Sequence, residues 1–273
     1  MKRLLVLFFG LWISAAHAQD AALDALQTAD DARGWEAVGR LELDGKGFCT
    51  AALISDRQIV TAAHCLFDRQ TGAPIDLSRI EFLAGLRNGR ALAYREIRRV
   101  VVHPDYVYLD DAPVASVAYD MALLELSQPI RNTSIEPFRT ATQMPIGAQV
   151  GVVSYALDRA EAPSLQEVCA VLGRQSGVVV MSCDIDFGSS GAPVFLISNG
   201  IAQIVSIITS KANIGGRKVS LGAEISAPLD QLRSEMDAGR GVFRDTPPHG
   251  IRVLEPGQTN DTGALFMTPP PRQ

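Results

Sequence analysis

Ile59-Val60-Thr61-Ala62-Ala63-His64-Cys65 is a short apolar run that stops in small residues and sets a histidine beside a cysteine. Val, Ile and Thr favour extended chain, and the two alanines permit a tight turn against neighbouring backbone. Working outward, the same pattern recurs. Short runs rich in Val, Ile and Leu lie at 37–43, 49–54, 80–86, 97–103 and 121–126, and again at 150–155, 177–183, 194–197, 201–209 and 218–225. Gly, Asp, Asn and Pro separate them, and no helical periodicity intervenes. Regularly spaced short strands of this kind make an all-β protein, a sandwich or barrels. A less regular stretch near 127–147 divides the two groups, so two barrels joined there are expected.

Composition narrows the class. Of 273 residues, 47% are hydrophobic and 20% charged, too apolar for a disordered chain and too charged for a membrane bundle. The length suffices for two modest cores. The formal charge of −5 carries no basic block, so nucleic acid is not an expected partner. Lys2 and Arg3, an apolar run over 4–13 and Ala16-His17-Ala18 read as a secretory leader cleaved after Ala18. The run is too short to span a bilayer. An exported protein, periplasmic or secreted and with no membrane attachment after cleavage, is expected. The domain reading is a leader at 1–18, an acidic arm or short pro-segment at 19–33, a first barrel at 34–130, a second at 131–240 and a Pro-rich, disordered tail at 241–273. One helix is expected where Ser226 caps, Pro228 fits the first turn and Leu229, Leu232 and Met236 recur at spacings of three and four.

Cys49, Cys65, Cys169 and Cys183 make an even count in an exported chain, which suggests two disulfides with three possible pairings. Sequence proximity favours Cys49 with Cys65 and Cys169 with Cys183, each closing a loop worth about 3 kcal/mol on the chain-entropy account. Zinc is not expected: no Cys-x-x-Cys occurs, and beyond the leader the only histidines are His64, His103 and His249. Neither a metal nor an organic cofactor is implied.

Three segments carry chemistry. His64 ends the opening run. Asp120 precedes Met121-Ala122-Leu123-Leu124, where an apolar strand would draw it against the core. Ser190 lies within Gly188-Ser189-Ser190-Gly191-Ala192-Pro193, a glycine-bounded turn leading into a strand. A serine hydroxyl needs a base to take its proton, imidazole titrates near neutrality, and a buried carboxylate fixes the imidazole tautomer. Glycines let backbone N–H groups approach a developing oxyanion.

With those residues stands a wider set: Phe48-Cys49-Thr50-Ala51-Ala52-Leu53-Ile54-Ser55, Val102-His103-Pro104-Asp105-Tyr106 and the three segments above, in order across roughly 35–230. The chain resembles the chymotrypsin-fold (trypsin-like) serine peptidases, most of all their bacterial glutamyl-endopeptidase-like members. The resemblance implies two six-stranded antiparallel β-barrels packed side by side with a C-terminal helix. It implies Ser190 as nucleophile, His64 as general base, Asp120 as orienting acid, the N–H groups of Gly188 and Ser190 as oxyanion hole, and a Cys49–Cys65 disulfide bracing the histidine turn. His103 falls in a family stretch that is not catalytic. The function implied is an exported serine endopeptidase acting through an acyl-enzyme, a monomer whose partner is its protein or peptide substrate. The other reading is a catalytically silent homologue that binds a partner protein. An α/β-hydrolase fits badly, because Ala192 breaks its Gly-x-Ser-x-Gly elbow and the triad order differs.

The chain departs from the family pattern in two places. Ser189 stands where trypsin-type zymogens carry the aspartate that pairs with a new N-terminal amine, so that switch is not expected. Cys169 and Cys183 match no common second-barrel disulfide cleanly and are expected to bridge neighbouring strands. For specificity, Asp184 lies where trypsin-like members bind Arg or Lys, and a buried carboxylate there would favour a cationic side chain. It is equally an aspartate facing solvent. Ser206, Ile207 and Ile208 resemble the strand edge that pairs with extended substrate, with Ile208 narrowing the pocket. No histidine lies near Val205, so glutamate specificity is not supported.

Overall fold

The structure is a computed structural model and describes residues 22–109, 113–142, 144–240 and 242–244. The leader at 1–18, His17, His249 and the tail from 245 lie outside the described residues. In chain order the strands are β1 (Asp24–Ala25), β2 (Val38–Leu43), β3 (Gly47–Leu53), β4 (Gln58–Thr61), β5 (Ile80–Ala84), β6 (Ala93–Val102), β7 (Ala122–Leu126), β8 (Arg139–Thr140), β9 (Gln149–Ala156), β10 (Arg159–Gln175), β11 (Val178–Met181), β12 (Pro193–Ser198), β13 (Ile201–Ile214), β14 (Arg217–Glu224) and β15 (Val242–Arg244). The helix α1 (Ser226–Ala238) precedes β15.

The first ring runs β6-β5-β2-β3-β4-β7 and closes by pairing β7 with β6. The second runs β9-β10-β11-β14-β13-β12 and closes by pairing β12 with β9. Both are six-stranded and antiparallel, as the sequence led one to expect. Strands that face a core on one side and neighbouring packing on the other lose their clean alternation. In β3 five consecutive residues, Cys49 to Leu53, are buried. Irregularities in register between Ile97 and Arg99 and between Ile208 and Ser210 curl the strands enough to close the rings.

The two halves are laced together by segments that cross over. Before β2, the pair Asp24–Ala25 hydrogen-bonds to β10 of the second ring, and Leu26 and Ala32 are buried. So residues 22–33, within the segment expected to be an acidic arm or short pro-segment, are docked. Trp35 then packs its ring 5.0 Å from Phe195 of β12, and Phe138 completes the trio at 4.6 Å from Phe195. In the other direction, α1 follows the second ring but buries Leu229, Leu232 and Met236 in the first ring's core. Its N-terminus differs from expectation. Ile225 occupies the cap position, no side chain caps it, and Ser226 is already helical. Gly239 ends it with a left-handed φ of 68°, a conformation that costs glycine no Cβ clash. The beginning of the expected tail also forms structure: β15 pairs with the edge of β6.

Candidate active site

β4 leads through Ala62 into a 3-10 turn (Ala63–Leu66) that carries His64. Ala62 and Ala63 are fully buried, so the turn sits against the barrel without side chains to push it away. Cys65 is disulfide-bonded to Cys49 of β3, with Cα atoms 6.3 Å apart, and this holds the turn from the strand beside it. Asp120 ends a second 3-10 turn (Val114–Tyr119) and enters β7. That turn belongs to the first half in sequence, yet Val117 and Ala118 pack with Val178, Val219 and Leu221 of the second ring.

His64 and Asp120 meet across 56 residues. The His64 backbone N–H donates to Asp120 Oδ1 at 2.9 Å, and His64 Nδ1 lies 2.7 Å from Asp120 Oδ2. The carboxylate is buried and the imidazole half-buried. With Nδ1 so engaged, Nε2 faces the remaining space, and its recorded contact is a 3.9 Å approach to Cys65 Sγ. His64 with the two sulfurs of Cys49 and Cys65 would place three ligating atoms within 4.8 Å. The sulfurs are bonded to each other, so no thiolate is on offer and the cluster fits no metal.

The Ser190 turn is held by its backbone. Thr50 N–H donates to Ser190 O at 2.8 Å, and Gly191 N–H donates to Ile208 O at 2.7 Å. Gly188 has φ 98° and Gly191 φ 79°, so both need glycine. A Cβ on Gly191 would lie 2.1 Å from Thr61 Oγ1 and 2.9 Å from Ala62 N. The residue after Ser190 is therefore pressed against the strand end that delivers His64. The N–H groups of Gly188 and Ser190 have no acceptor among the described hydrogen bonds, nor does Ser190 Oγ have a partner there. Neighbouring Ser189 is wholly buried. Its Oγ reaches Ser154 Oγ and Tyr155 O, each at 3.3 Å, and the Asp186 N–H at 3.4 Å, so neutral contacts fill this position.

Thr50 was not singled out by sequence. Its hydroxyl donates to Gly188 O at 2.9 Å and accepts from Tyr155 N–H at 3.1 Å, while Thr61 Oγ1 donates to Thr50 O at 2.8 Å. One buried threonine thus ties the Gly188 peptide to the first barrel. The signal was present: a lone hydroxyl inside the apolar run 49–54.

Of the two readings of Asp184 the solvent-facing one fits its position, and the expected strand edge needs correction. Asp184 is exposed, its N–H held by Gln166 Oε1 at 2.8 Å, so it is no buried carboxylate. Ser206, Ile207 and Ile208 are fully buried, with β12 on one side and β14 on the other. They present no open edge. Pairing with β12 stops at Pro193 opposite Ile207, so the free side of β13 begins at Thr209, Ser210 and Lys211. A strand edge is defined by where the partner strand ends, here at Pro193, and local resemblance does not carry that information. His103 is buried, with Nδ1 accepting from the Asp105 N–H at 3.2 Å, and it stands apart from the pair. Cys169 of β10 and Cys183, just after β11, form the second disulfide with Cα atoms 5.0 Å apart.

A model of the trypsin family matches residues 27–221. The chain belongs to the trypsin family. Among relatives of this trypsin-family chain, the glutamyl endopeptidase of Bacillus licheniformis is 25% identical over 150 residues, 55% of this chain and 45% of that protein. A trypsin of Phaedon cochleariae is 28% identical over 113 residues, 40% of each. The chain thus spans less than half the length of these curated relatives. A solved Glu endopeptidase in complex with MPD superposes with a TM-score of 0.65 at 16% identity, covering 81% of this chain and 98% of that one, and shares the fold.

Proposed function

We propose that the protein is an exported serine endopeptidase that cleaves peptide bonds through an acyl-enzyme. Ser190 Oγ attacks the carbonyl, His64 Nε2 takes the proton and later returns it to the departing amine. Asp120 holds the imidazole in the tautomer that leaves Nε2 basic. The N–H groups of Gly188 and Ser190, which have no acceptor among the described residues, receive the oxyanion. The observation that carries this reading is the packing of Gly191 on Thr61 and Ala62, next to a His64–Asp120 pair already formed. In peptidases without substrate the serine–imidazole contact is often loose and tightens on binding, so an uncommitted Ser190 hydroxyl fits the role. An extended substrate would add along residues 209–211 of β13. Cys49–Cys65 and Cys169–Cys183 suit an oxidising compartment, in keeping with export.

The decisive experiment compares the purified protein with its Ser190→Ala variant. Fluorophosphonate labelling and casein hydrolysis should both be lost, with thermal unfolding unchanged. Equal hydrolysis by the two would refute the assignment, and an unlabelled wild-type protein would favour a silent, binding homologue.

A further inference from the structure

The peptide joining Phe187 to Gly188 has two working ends. Its N–H is the Gly188 donor of the oxyanion pair. Its carbonyl, Phe187 O, accepts from the Leu157 N–H at 2.8 Å. A trans peptide is planar with its C=O and N–H pointing opposite ways, so whatever holds Phe187 O also aims the Gly188 N–H. Leu157 is an exposed residue in the turn between β9 and β10. The placement of that turn therefore sets the direction of the donor.

Arg40 of β2 ties this turn to the first barrel. Its Nη1 donates to Ala160 O at 2.9 Å and lies 3.4 Å from Glu161 Oε1. Its Nη2 pairs with Glu42, two residues on and on the same face of the strand. Its guanidinium carbon stands 5.2 Å from the centre of the Phe48 ring, and Phe48 is the side chain that a Cβ on Gly188 would strike. One side chain thus meets the Gly188 peptide from two directions, through the turn that holds its carbonyl end and through the ring packed on Gly188. A further tie, the Asn88 N–H to Glu161 O at 2.7 Å, acts one residue farther from Leu157. The Arg40 side chain is only 17% exposed, and its Nε is buried with no hydrogen-bond partner among the described residues. An orphaned buried donor costs stability that an apolar side chain would not. What the guanidinium alone supplies is a planar fork that serves Glu42 and Ala160 O together. We infer that Arg40 is a positioning residue for the oxyanion hole: by pinning the β9–β10 turn and backing Phe48, it keeps the Gly188 N–H aimed at the reacting carbonyl oxygen. Arg40 itself touches neither substrate nor the reacting atoms. This inference rests on the acyl-enzyme reading above.

The test separates oxyanion binding from a general loss of structure. Acetylation of Ser190 is followed with p-nitrophenyl acetate and with its thiono analogue, whose larger, weakly accepting sulfur gains much less from N–H donors. Arg40→Met keeps an unbranched stem beside Phe48 and removes the fork. Acetylation by the oxygen ester should slow about tenfold, less than the loss of about 10²–10³ on removing a donor outright, because the N–H is misdirected and not deleted. The preference for oxygen over sulfur should shrink by a similar factor, while the pH midpoint of acetylation, set by His64, stays in place. Arg40→Lys, with a single ammonium in place of the fork, should fall between the two proteins, and it decides the matter if Arg40→Met does not fold by circular dichroism. A folded variant with wild-type acetylation and wild-type preference would overturn the inference. So would slower acetylation with the preference intact, which would make Arg40 a structural residue. Either result, with the wild-type protein acetylated normally, leaves the acyl-enzyme reading standing. A wild-type protein that neither acetylates nor takes up the fluorophosphonate would overturn both.

Discussion

The Asp120 side chain holds His64 twice, by its backbone N–H at 2.9 Å and by its ring Nδ1 at 2.7 Å, whereas the turn carrying Ser190 is fixed through main-chain groups bonded to Thr50 and Ile208. Side-chain fixation is local and survives small shifts of the barrels. Main-chain fixation depends on the two barrels staying in register, because Thr50 belongs to one and Ile208 to the other. The two halves of the site should therefore fail differently. Damage to the first half should change chemistry with little change in fold. Damage to the second should cost stability and chemistry together.

The sharpest break is Asp120→Asn. The amide oxygen can still accept from the His64 N–H, but its NH2 cannot accept from Nδ1, so the imidazole turns to the wrong tautomer. We expect kcat to fall about 10⁴-fold, the established size of this exchange in a serine-protease triad, with the melting temperature nearly unchanged. Steady-state kinetics with calorimetry checks it, and a large loss of stability would blur the comparison. Next, Gly188→Ala must force a Cβ to within 2.3 Å of Phe48 at φ 98°. Displacing that N–H should cost about 10²–10³ in kcat, now with a lower melting temperature.

Thr50→Val keeps the volume but removes the donor to Gly188 O and the acceptor for Tyr155 N–H. A kcat lower by about tenfold at constant KM is expected, with a stability loss of about 1–3 kcal/mol, and Thr50→Ser should restore both. If Thr50→Val loses stability but keeps kcat, the threonine is structural and the second half is less dependent on it than its contacts suggest.

The smallest effect concerns His103, which sits in the first half outside the site. Burial lowers its pKa below the ordinary 6.5, with Asp105 and a hydrogen bond to the Gln231 side chain partly opposing. Between its folded value and 6.5 the unfolded chain binds a proton that the folded chain refuses. Stability therefore falls as pH drops through that window and is unaffected above it. Urea midpoints at about pH 7.5 and about pH 5.5 should differ by at most about 1 kcal/mol in stability from this residue, and His103→Gln should flatten the slope. A steeper acid loss that persists in the variant would point to other groups.

Much of the architecture was legible in sequence because short Val/Ile/Leu runs between turn formers have few ways to pack. β10 escaped notice: Arg159, Glu161, Pro163 and Glu167 interrupt its pattern, yet its 17 residues pair with β9 and β11 because tertiary partners override weak propensity. β1 and β15 were read as arm and tail for the same reason. Each is too short to show a period, and each exists only because a neighbouring strand offers unpaired backbone.

The residue types at the site, and their order along the chain, were set by sequence alone. Histidine, aspartate and a glycine-flanked serine suit acyl transfer wherever they meet, since side-chain chemistry is local. What the tertiary structure alone decided is distance and access: that Asp120 faces both donors of His64, that Thr50 grips the Gly188 peptide, that Ser206, Ile207 and Ile208 are sealed between two strands, and that Asp184 points outward. Those properties depend on where neighbouring strands end and which surfaces they cover, and no local run of residues carries that information.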